Sequence, residues 1–186
     1  TGDDLERMKQ FDTMRVLEEH VKKNVNHEYL ASRKITPTTA SELSIGSANF
    51  KELLTELEAI GIDEQFAKKI GIDEFKLNQN KLVLIIKDSA GRPVSFVSRE
   101  MKNQLTKEQK EQLKIAVEEH GEFESKEAKT KWLKETFGAD FYRATMTPKY
   151  INGVASLIYD KSSIFYGYSA VKKKINRFRY VYVVEG

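Results

Sequence analysis

Residues 81–100, KLVLIIKDSAGRPVSFVSRE, are the part of the sequence that most constrains the fold. An apolar, β-branched run is followed by the turn residues of 88–91 and by a second run in which apolar and polar residues alternate. Two such runs around a turn predict a β-hairpin. Helical periodicity lies on both sides of it. The chain is therefore predicted to be α+β, with a helical N-terminal part packed on a small antiparallel sheet and further helices after the hairpin.

Two apolar stripes predict the helices of the N-terminal third. Met14, Leu17 and Val21 recur at helical spacing in the first stripe. The second stripe follows the i, i+3, i+4, i+7 pattern of a helix that packs on a core. Its members are Phe50, Leu53, Leu54 and Leu57.

Start and stop signals divide the helical segments. Thr36 can cap a helix and Pro37 suits its first position, and Gly46 is predicted to end that helix. Thr106 and Gln109 have the spacing of a capping box and predict a helix start after the hairpin. The charged segment that follows, to about residue 141, is predicted to be helical.

Composition excludes several classes of protein. The 186 residues include no Cys, which rules out a disulfide framework and a Cys-ligated zinc site within the sequence. No apolar run approaches the length of a membrane span, and the first residues are too polar for a signal peptide, so we expect a cytoplasmic protein with no membrane partner. The net charge is +3, and a local basic excess from Lys149 to Gly186 is suited to phosphates.

The histidines show no metal-ligand pattern. His20, His27 and His120 share no ligand spacing and lie on polar helical faces. We therefore predict each of them to lie at the surface.

Three separated blocks place basic and aromatic residues in a fixed order. The first, EYLASRKITPTTASELSIG, contributes Tyr29, Leu30, Arg33, Ile45 and Gly46. The second, the hairpin segment, contributes Lys81, Ile86, Asp88, Gly91, Arg92, Phe96 and Arg99. The third, PKYINGVASLIYDKSSIFYG, contributes Lys149, Tyr150, Asn152, Lys161, Tyr166 and Gly167.

Together with the final VVEG, these blocks resemble the RNA-polymerase (catalytic core) domain of bacterial and phage DnaG-type primases. The resemblance covers the N-terminal part of that domain and ends at its first Toprim motif. It departs from the family at Lys34, which replaces a glycine, at Ile85 and Lys87, which replace a proline and an arginine, and at Val97 and Ser98, which replace two glycines.

The resemblance implies a domain organisation. Residues 1–165 would form the N-terminal subdomain of the core, with an insertion at about 102–142 relative to cellular primases, so the nearest relatives are expected among phage or divergent proteins. Residues 166–186 would be the first helix and strand of a truncated Toprim α/β subdomain. We expect the sequence to be a fragment, with the family's zinc module upstream and its Asp-x-Asp motif downstream.

The resemblance also implies an activity. The full-length protein would be a DNA primase, a nucleotidyltransferase that makes RNA primers from ribonucleoside triphosphates on single-stranded DNA during replication. Glu185 matches the Toprim glutamate and would be both catalytic and a ligand of Mg²⁺ or Mn²⁺. A replicative helicase would bind regions outside this sequence. The fragment alone is expected to be inactive.

The same motifs suggest residues for the template and the nucleotides. Arg offers planar bidentate contacts to phosphate and Lys a point charge, while a tyrosine can stack on a base. A solvated strand face and a tyrosine that plugs the core are the alternatives. The candidates are Arg33, Lys81, Lys87, Arg92, Arg99, Lys149, Tyr150, Asn152 and Lys161.

Two other functions stay open at this point. One is a non-catalytic module, derived from a primase, that binds single-stranded DNA or a protein partner. The other is a different Toprim protein, such as a topoisomerase or a nuclease. The third block disfavours this last class, because the Toprim fold alone does not require it.

Overall fold

The computed structural model describes residues 2–101, 105–146, 148–164 and 166–175. The chain divides into two units, of which the first contains residues 1–99 and 151–186 and the second residues 100–150. The predicted strand at 180–184 and the catalytic candidate Glu185 lie outside the described residues.

The first unit contains one long helix and several short ones in addition to its strands. They are α1 (Gly2–Lys23), α2 (His27–Ser32), α3 (Pro37–Glu42), α4 (Phe50–Glu58) and α5 (Glu64–Lys69). The second unit contains α6 (Lys107–His120), α7 (Lys126–Phe137) and α8 (Ala139–Met146), and the chain then returns to the first unit and forms α9 (Tyr168–Ile175). None of the described helices combines the length and the apolar character needed to cross a bilayer.

A small antiparallel sheet of four strands is found among the described residues. Its strands are β1 (Ile45–Gly46), β2 (Lys81–Lys87), β3 (Pro93–Glu100) and β4 (Tyr150–Asn152), and they lie in chain order across the sheet. In β1 and β2, Ile45 pairs with Leu84 and Gly46 with Val83. The predicted hairpin is formed by β2 and β3, and the α+β class is confirmed.

The core of the first unit lies between α1, α4 and the sheet. The predicted stripe of α1 is buried, since Met14 is 4% exposed and Leu17 and Val21 are fully buried. The α4 stripe packs into the same core, with Leu54 only partly buried. From the hairpin, Val83, Ile85 and Phe96 join this cluster. Helix and sheet therefore bury the apolar faces that their periodicities predict.

One predicted helix start is confirmed and the matching stop is wrong. The Thr36 side chain accepts a hydrogen bond from the Thr39 backbone N–H at 3.1 Å, and Pro37 occupies the first turn of α3. The helix ends at Glu42, before Gly46, which belongs to β1 and is buried. A glycine is needed there because the strand passes against the backbone of α1.

The prediction for His20 is also wrong. His20 is 1% exposed, and its Nδ1 lies 3.1 Å from a carboxylate oxygen of Glu56. Its Nε2 accepts a hydrogen bond from the Asn49 backbone N–H at 3.1 Å, at the start of α4. Because an N–H must donate there, the Nδ1–H tautomer fits both contacts. His20 thus joins α1 to α4, whereas His27 and His120 are exposed as predicted.

Lys34 adopts a left-handed backbone conformation with φ of 59°. A side chain at such an angle costs about 1 kcal/mol. We expect Lys34→Gly to raise the free energy of unfolding by about 0.5–1 kcal/mol, measured by urea denaturation. The control is Lys51→Gly, which places the same change inside α4 and should cost about 1 kcal/mol. A Lys34→Gly variant no more stable than the parent would contradict this account.

The second unit begins with the predicted capping box. The Thr106 side chain accepts from the Gln109 backbone N–H, and the Gln109 side chain accepts from the Thr106 backbone N–H at 2.9 Å. Rings from the helices and their connections then form a continuous cluster, with centroid separations between 4.1 and 5.9 Å. Its members are His120, Phe123, Trp132, Phe137 and Phe141.

Candidate nucleic-acid interface

Tyr29 on α2 brings two of the candidate arginines together. Its hydroxyl accepts a hydrogen bond from Arg99 Nη1 at 2.8 Å, across 70 positions of sequence. The guanidinium carbon of Arg33, at the end of α2, lies 5.4 Å from the centroid of the same ring. A ring contact of this kind is worth about 0.5–1 kcal/mol at an exposed site. We call Tyr29, Arg33 and Arg99 the Tyr29 cluster.

The Tyr29 cluster depends on local caps. The Asn26 side chain accepts from the Tyr29 backbone N–H at 2.9 Å and so begins α2. The Arg33 backbone N–H closes the helix by donating to the carbonyls of Tyr29 and Leu30. Arg99 arrives from the end of β3 and is half-buried. The positions of the two guanidinium groups are thus fixed by the start of α2, the end of α2 and the end of β3.

Lys87, at the end of β2, is held by a buried carboxylate. Its Nζ lies 2.6 Å from Oε1 of Glu18, which is 7% exposed. Ser44 Oγ donates to the same oxygen at 2.6 Å, and Lys22 Nζ lies 3.1 Å from it. Burial alone would raise the pKa of Glu18, but the hydrogen bonds from Lys87, Ser44 and Lys22 outweigh it and hold the pKa below its usual value.

Arg92 is paired within the hairpin turn. Its Nη2 lies 2.7 Å from Oδ2 of Asp88, and its guanidinium carbon is 4.7 Å from the centroid of the Phe11 ring. Burial would raise the pKa of Asp88, but hydrogen bonds from the backbone and side chain of Arg92 and from the backbone of Ala90 lower it. The Arg92 side chain is nevertheless 62% exposed.

Lys81 lies in a different environment from the other candidates. It is 3% exposed, its Nζ donates to the carbonyl of Phe75, and it lies 4.4 Å from the centroid of the Phe75 ring. The ammonium group is therefore engaged by the loop that precedes β2. We leave Lys81 out of the proposed template contacts for this reason.

The third block places Lys149 and Tyr150 side by side in the second unit. Lys149 Nζ lies 5.2 Å from the centroid of the Tyr150 ring, which is 45% exposed. The Lys149 carbonyl accepts from the Glu100 backbone N–H at 3.1 Å. Asn152, at the other end of β4, is exposed.

Lys161 lies in a short 3₁₀ turn (Lys161–Ser163) of the first unit and is exposed. Asp160 begins this turn, because its side chain accepts from both the backbone N–H and the hydroxyl of Ser162. These hydrogen bonds lower the pKa of Asp160. The turn thus keeps the backbone beside Lys161 ordered while the ammonium faces solvent.

The sequence did not indicate a role for two residues that organise the candidate interface, Tyr29 and Glu18. Tyr29 was seen only as a motif match, and nothing local indicated that it bridges two arginines. The burial of Glu18 could have been predicted, because it lies four residues after Met14 and next to Leu17, on the apolar side of α1. A carboxylate in that position requires cationic or hydroxyl partners.

Solved structures of primases share the arrangement of the described elements. A DnaG primase catalytic domain, solved bound to single-stranded DNA, matches with a TM-score of 0.59 at 15% identity, over 92% of this chain and 47% of that one. This chain has the fold of the DnaG primase catalytic core. The RNA polymerase domain of Mycobacterium tuberculosis primase DnaG matches with a TM-score of 0.59 at 17% identity, over 92% and 48%.

A DnaG structure with two domains gives a similar result. The zinc binding and RNA polymerase domains of the Aquifex aeolicus primase match with a TM-score of 0.60 at 18% identity, over 92% of this chain and 36% of that one. The chain thus spans about half of the DnaG catalytic domains or less. No family model and no curated protein matches its sequence.

Proposed function

We propose that this chain is part of a DnaG-type primase core and contributes a binding surface for single-stranded DNA. The observation that carries the proposal is the Tyr29 cluster, in which Arg33 and Arg99 from distant segments share one tyrosine. The fold shared with a DnaG catalytic domain solved on single-stranded DNA adds independent support.

The geometry of the Tyr29 cluster suits phosphate. A guanidinium that stacks on a ring keeps its edge N–H groups directed outward, where they form bidentate contacts to phosphate oxygens. The hydrogen bond to the Tyr29 hydroxyl restrains the Arg99 side chain before the strand binds. Such preorganisation reduces the entropy lost on binding.

Lys149 and Tyr150 would add a second type of contact. An exposed tyrosine can stack on a base, and a stacked base is worth about 1–3 kcal/mol. The neighbouring ammonium would neutralise a phosphate of the same strand. Lys161 would supply a further point charge. Lys87 and Arg92 would contribute less, since each is paired with a carboxylate of the protein.

The full-length protein would then be a primase, in which a 3′-hydroxyl oxygen bonds to the α-phosphorus of a ribonucleoside triphosphate and pyrophosphate leaves. A divalent metal would offset the charge of the reacting anions. No group of three or more metal-binding side chains occurs among the described residues, and Glu185 lies outside them. We therefore assign no metal ligand in the described part of the chain. A helicase partner would engage other parts of the protein.

The test is a fluorescence-anisotropy titration of a single-stranded oligonucleotide at several salt concentrations. We expect weak binding, about micromolar to sub-millimolar, with a salt slope of about 0.7 per neutralised phosphate. Arg33→Glu and Lys149→Glu, both at exposed positions, should each weaken binding about tenfold and flatten the slope by about 0.7.

The matched control is Lys68→Glu, which makes the same change of charge on α5, where Lys68 pairs with Glu64 at 2.7 Å. It should leave the affinity within about twofold, because α5 carries none of the proposed contacts, and the fold should persist because one exposed ion pair contributes little to stability. Absence of binding at low salt would refute the proposal. An effect of Lys68→Glu as large as that of Arg33→Glu would refute the position of the interface.

A further inference from the structure

The second unit carries a groove lined by lysines along one face of α7. The groove has a volume of about 360 Å³ and is lined by Lys126, Glu127, Thr130, Lys131 and Lys134. Lys126, Thr130 and Lys134 follow one another at helical turns, and Lys131 lies beside them. We call Lys126, Lys131 and Lys134 the α7 lysine face.

The charges of the α7 lysine face are only weakly compensated. The Lys131 side chain is 77% exposed, and its carboxylate neighbour, Glu135, lies at the long distance of 3.9 Å. Lys134 Nζ lies 4.9 Å from the centroid of the Tyr142 ring, a contact that leaves its charge intact. Exposed pairs of this kind are worth less than about 1 kcal/mol and are easily exchanged for another anion.

The neighbouring helix shows that this pattern is not general to the unit. The sequence of α7, KEAKTKWLKETF, has four lysines and two glutamates. The sequence of α6, KEQKEQLKIAVEEH, has three lysines and four glutamates. Positive charge is thus concentrated on one helix, which is typical of a surface that binds a polyanion.

The residues that line the groove favour a phosphate backbone over a protein partner. The lining consists of lysines, a threonine and a glutamate, and its apolar surface comes from side-chain stems rather than from aromatic or aliphatic residues. Protein interfaces usually depend on buried aromatic or aliphatic anchors, which this groove does not offer. Lys126 and Lys134 are eight residues apart, about 12 Å along the helix. That distance allows the two lysines to contact different phosphates of the same strand.

The two ends of the second unit lie close together. The second unit begins at Glu100, the last residue of β3, and ends at Tyr150, the first residue of β4. Its ends are closed by the hydrogen bond from the Glu100 N–H to the Lys149 carbonyl. The aromatic cluster that includes Trp132 packs behind α7 and fixes the helix within the unit.

We propose that the α7 lysine face of the second unit is a further contact for the phosphate backbone of single-stranded nucleic acid. This proposal rests on the proposed function for the identity of the strand. The second contact would lengthen the segment of nucleic acid that one molecule holds. A long oligonucleotide would therefore bind more tightly than a short one, by more than the statistical gain in affinity from its larger number of possible binding positions.

The test compares two triple variants of the full chain. One is Lys126→Ala, Lys131→Ala and Lys134→Ala, and the other is the matched control Lys107→Ala, Lys110→Ala and Lys114→Ala on α6. Each removes three charges from an exposed helix, and alanine favours the helical state, so both should fold. Circular dichroism checks the helix content. Binding is measured with single-stranded oligonucleotides of about 6 and about 20 nucleotides, one near the lower end of typical site sizes and one above them.

We expect the α7 variant to bind the long oligonucleotide about tenfold more weakly, with a salt slope lower by about 2, and to bind the short one as the parent does. The α6 variant should match the parent on both. Equal losses in the two variants, or no loss in the α7 variant, would overturn the second contact. So would polyglutamate that competes as well as the long oligonucleotide, because it would indicate a general polyanion or acidic-protein surface.

Different experimental results would refute the proposed interface and the contact at the α7 lysine face. If Arg33→Glu and Lys149→Glu leave binding of the short oligonucleotide unchanged, the proposed interface is wrong, and the inference that rests on it falls too. If these two variants weaken short binding while the α7 variant has no effect on long binding, only the second contact is lost.

Discussion

Gly46→Ala is expected to lower the free energy of unfolding by about 3–5 kcal/mol, among the largest effects of a single substitution. A Cβ at this position would lie 2.0 Å from the Val21 carbonyl oxygen and 3.0 Å from that of Asn24. Both are backbone oxygens, one in the last turn of α1 and one in the residue that follows the helix, and neither can rotate away. β1 would have to move from α1 and disturb its pairing with Val83.

Thermal and urea denaturation followed by circular dichroism would measure this effect. For a chain of this size, we expect the midpoint of thermal unfolding to fall by about 10 °C. The control is Gly61→Ala, because Gly61 has φ of 78° but nothing within 4 Å of an added Cβ. Its cost should be about 1 kcal/mol, from the backbone angle alone. If Gly46→Ala costs no more than Gly61→Ala, the close approach of β1 to α1 is wrong.

Glu18→Gln is expected to lower the free energy of unfolding by about 3 kcal/mol, because removing one partner of a buried ion pair leaves the other charge uncompensated. The lysines affected are Lys87 and Lys22, whose side chains are 20% and 34% exposed. The shape of the side chain is kept, so the packing of α1 changes little. Chemical denaturation at pH 7 measures the loss.

The pH dependence of the same variant gives a second measurement. The pKa of Glu18 in the folded protein lies below its ordinary value of 4.5. Its ionised form therefore stabilises the fold above about pH 4.5, and that contribution is lost as the pH falls through the lower folded pKa. The difference between the parent and Glu18→Gln should be full at neutral pH and shrink in acid.

Glu19→Gln is the matched control for Glu18→Gln. Glu19 is the next residue of α1, its side chain is 57% exposed, and it also pairs with Lys22, at 3.2 Å. Surface pairs of this kind contribute about 0–1 kcal/mol, so the control should be nearly as stable as the parent. Equal losses for the two glutamates would show that burial of Glu18 has no special effect.

Gly46 and Glu18 lie outside the proposed interface, but both hold in place the sheet that carries Arg99. Gly46 allows β1 to lie against α1, and Glu18 ties α1 to the end of β2 through Lys87. Ser44, which precedes β1, donates to Glu18 and so completes the link. The sheet that carries Arg99 is therefore fixed to α1 by contacts that a binding measurement alone would not reveal.

Local patterns in the sequence determined much of this fold. The α4 stripe, the hairpin, the Thr36 cap and the capping box at Thr106 were all predicted and are all present. Each depends on residues within a few positions of one another, since helical periodicity, strand alternation and capping are short-range. The motif order likewise indicated the primase fold before any distance was known.

Only the tertiary structure decided which polar residues are buried and which charges meet. His20 is buried because α4 docks on α1, and Lys81 is buried because a loop folds over it. Arg99 reaches Tyr29 across 70 positions. Gly46 belongs to a strand only because β2 pairs with it. Burial and pairing depend on segments distant in sequence, whose free energies appear only when those segments pack together, so no local pattern contains them.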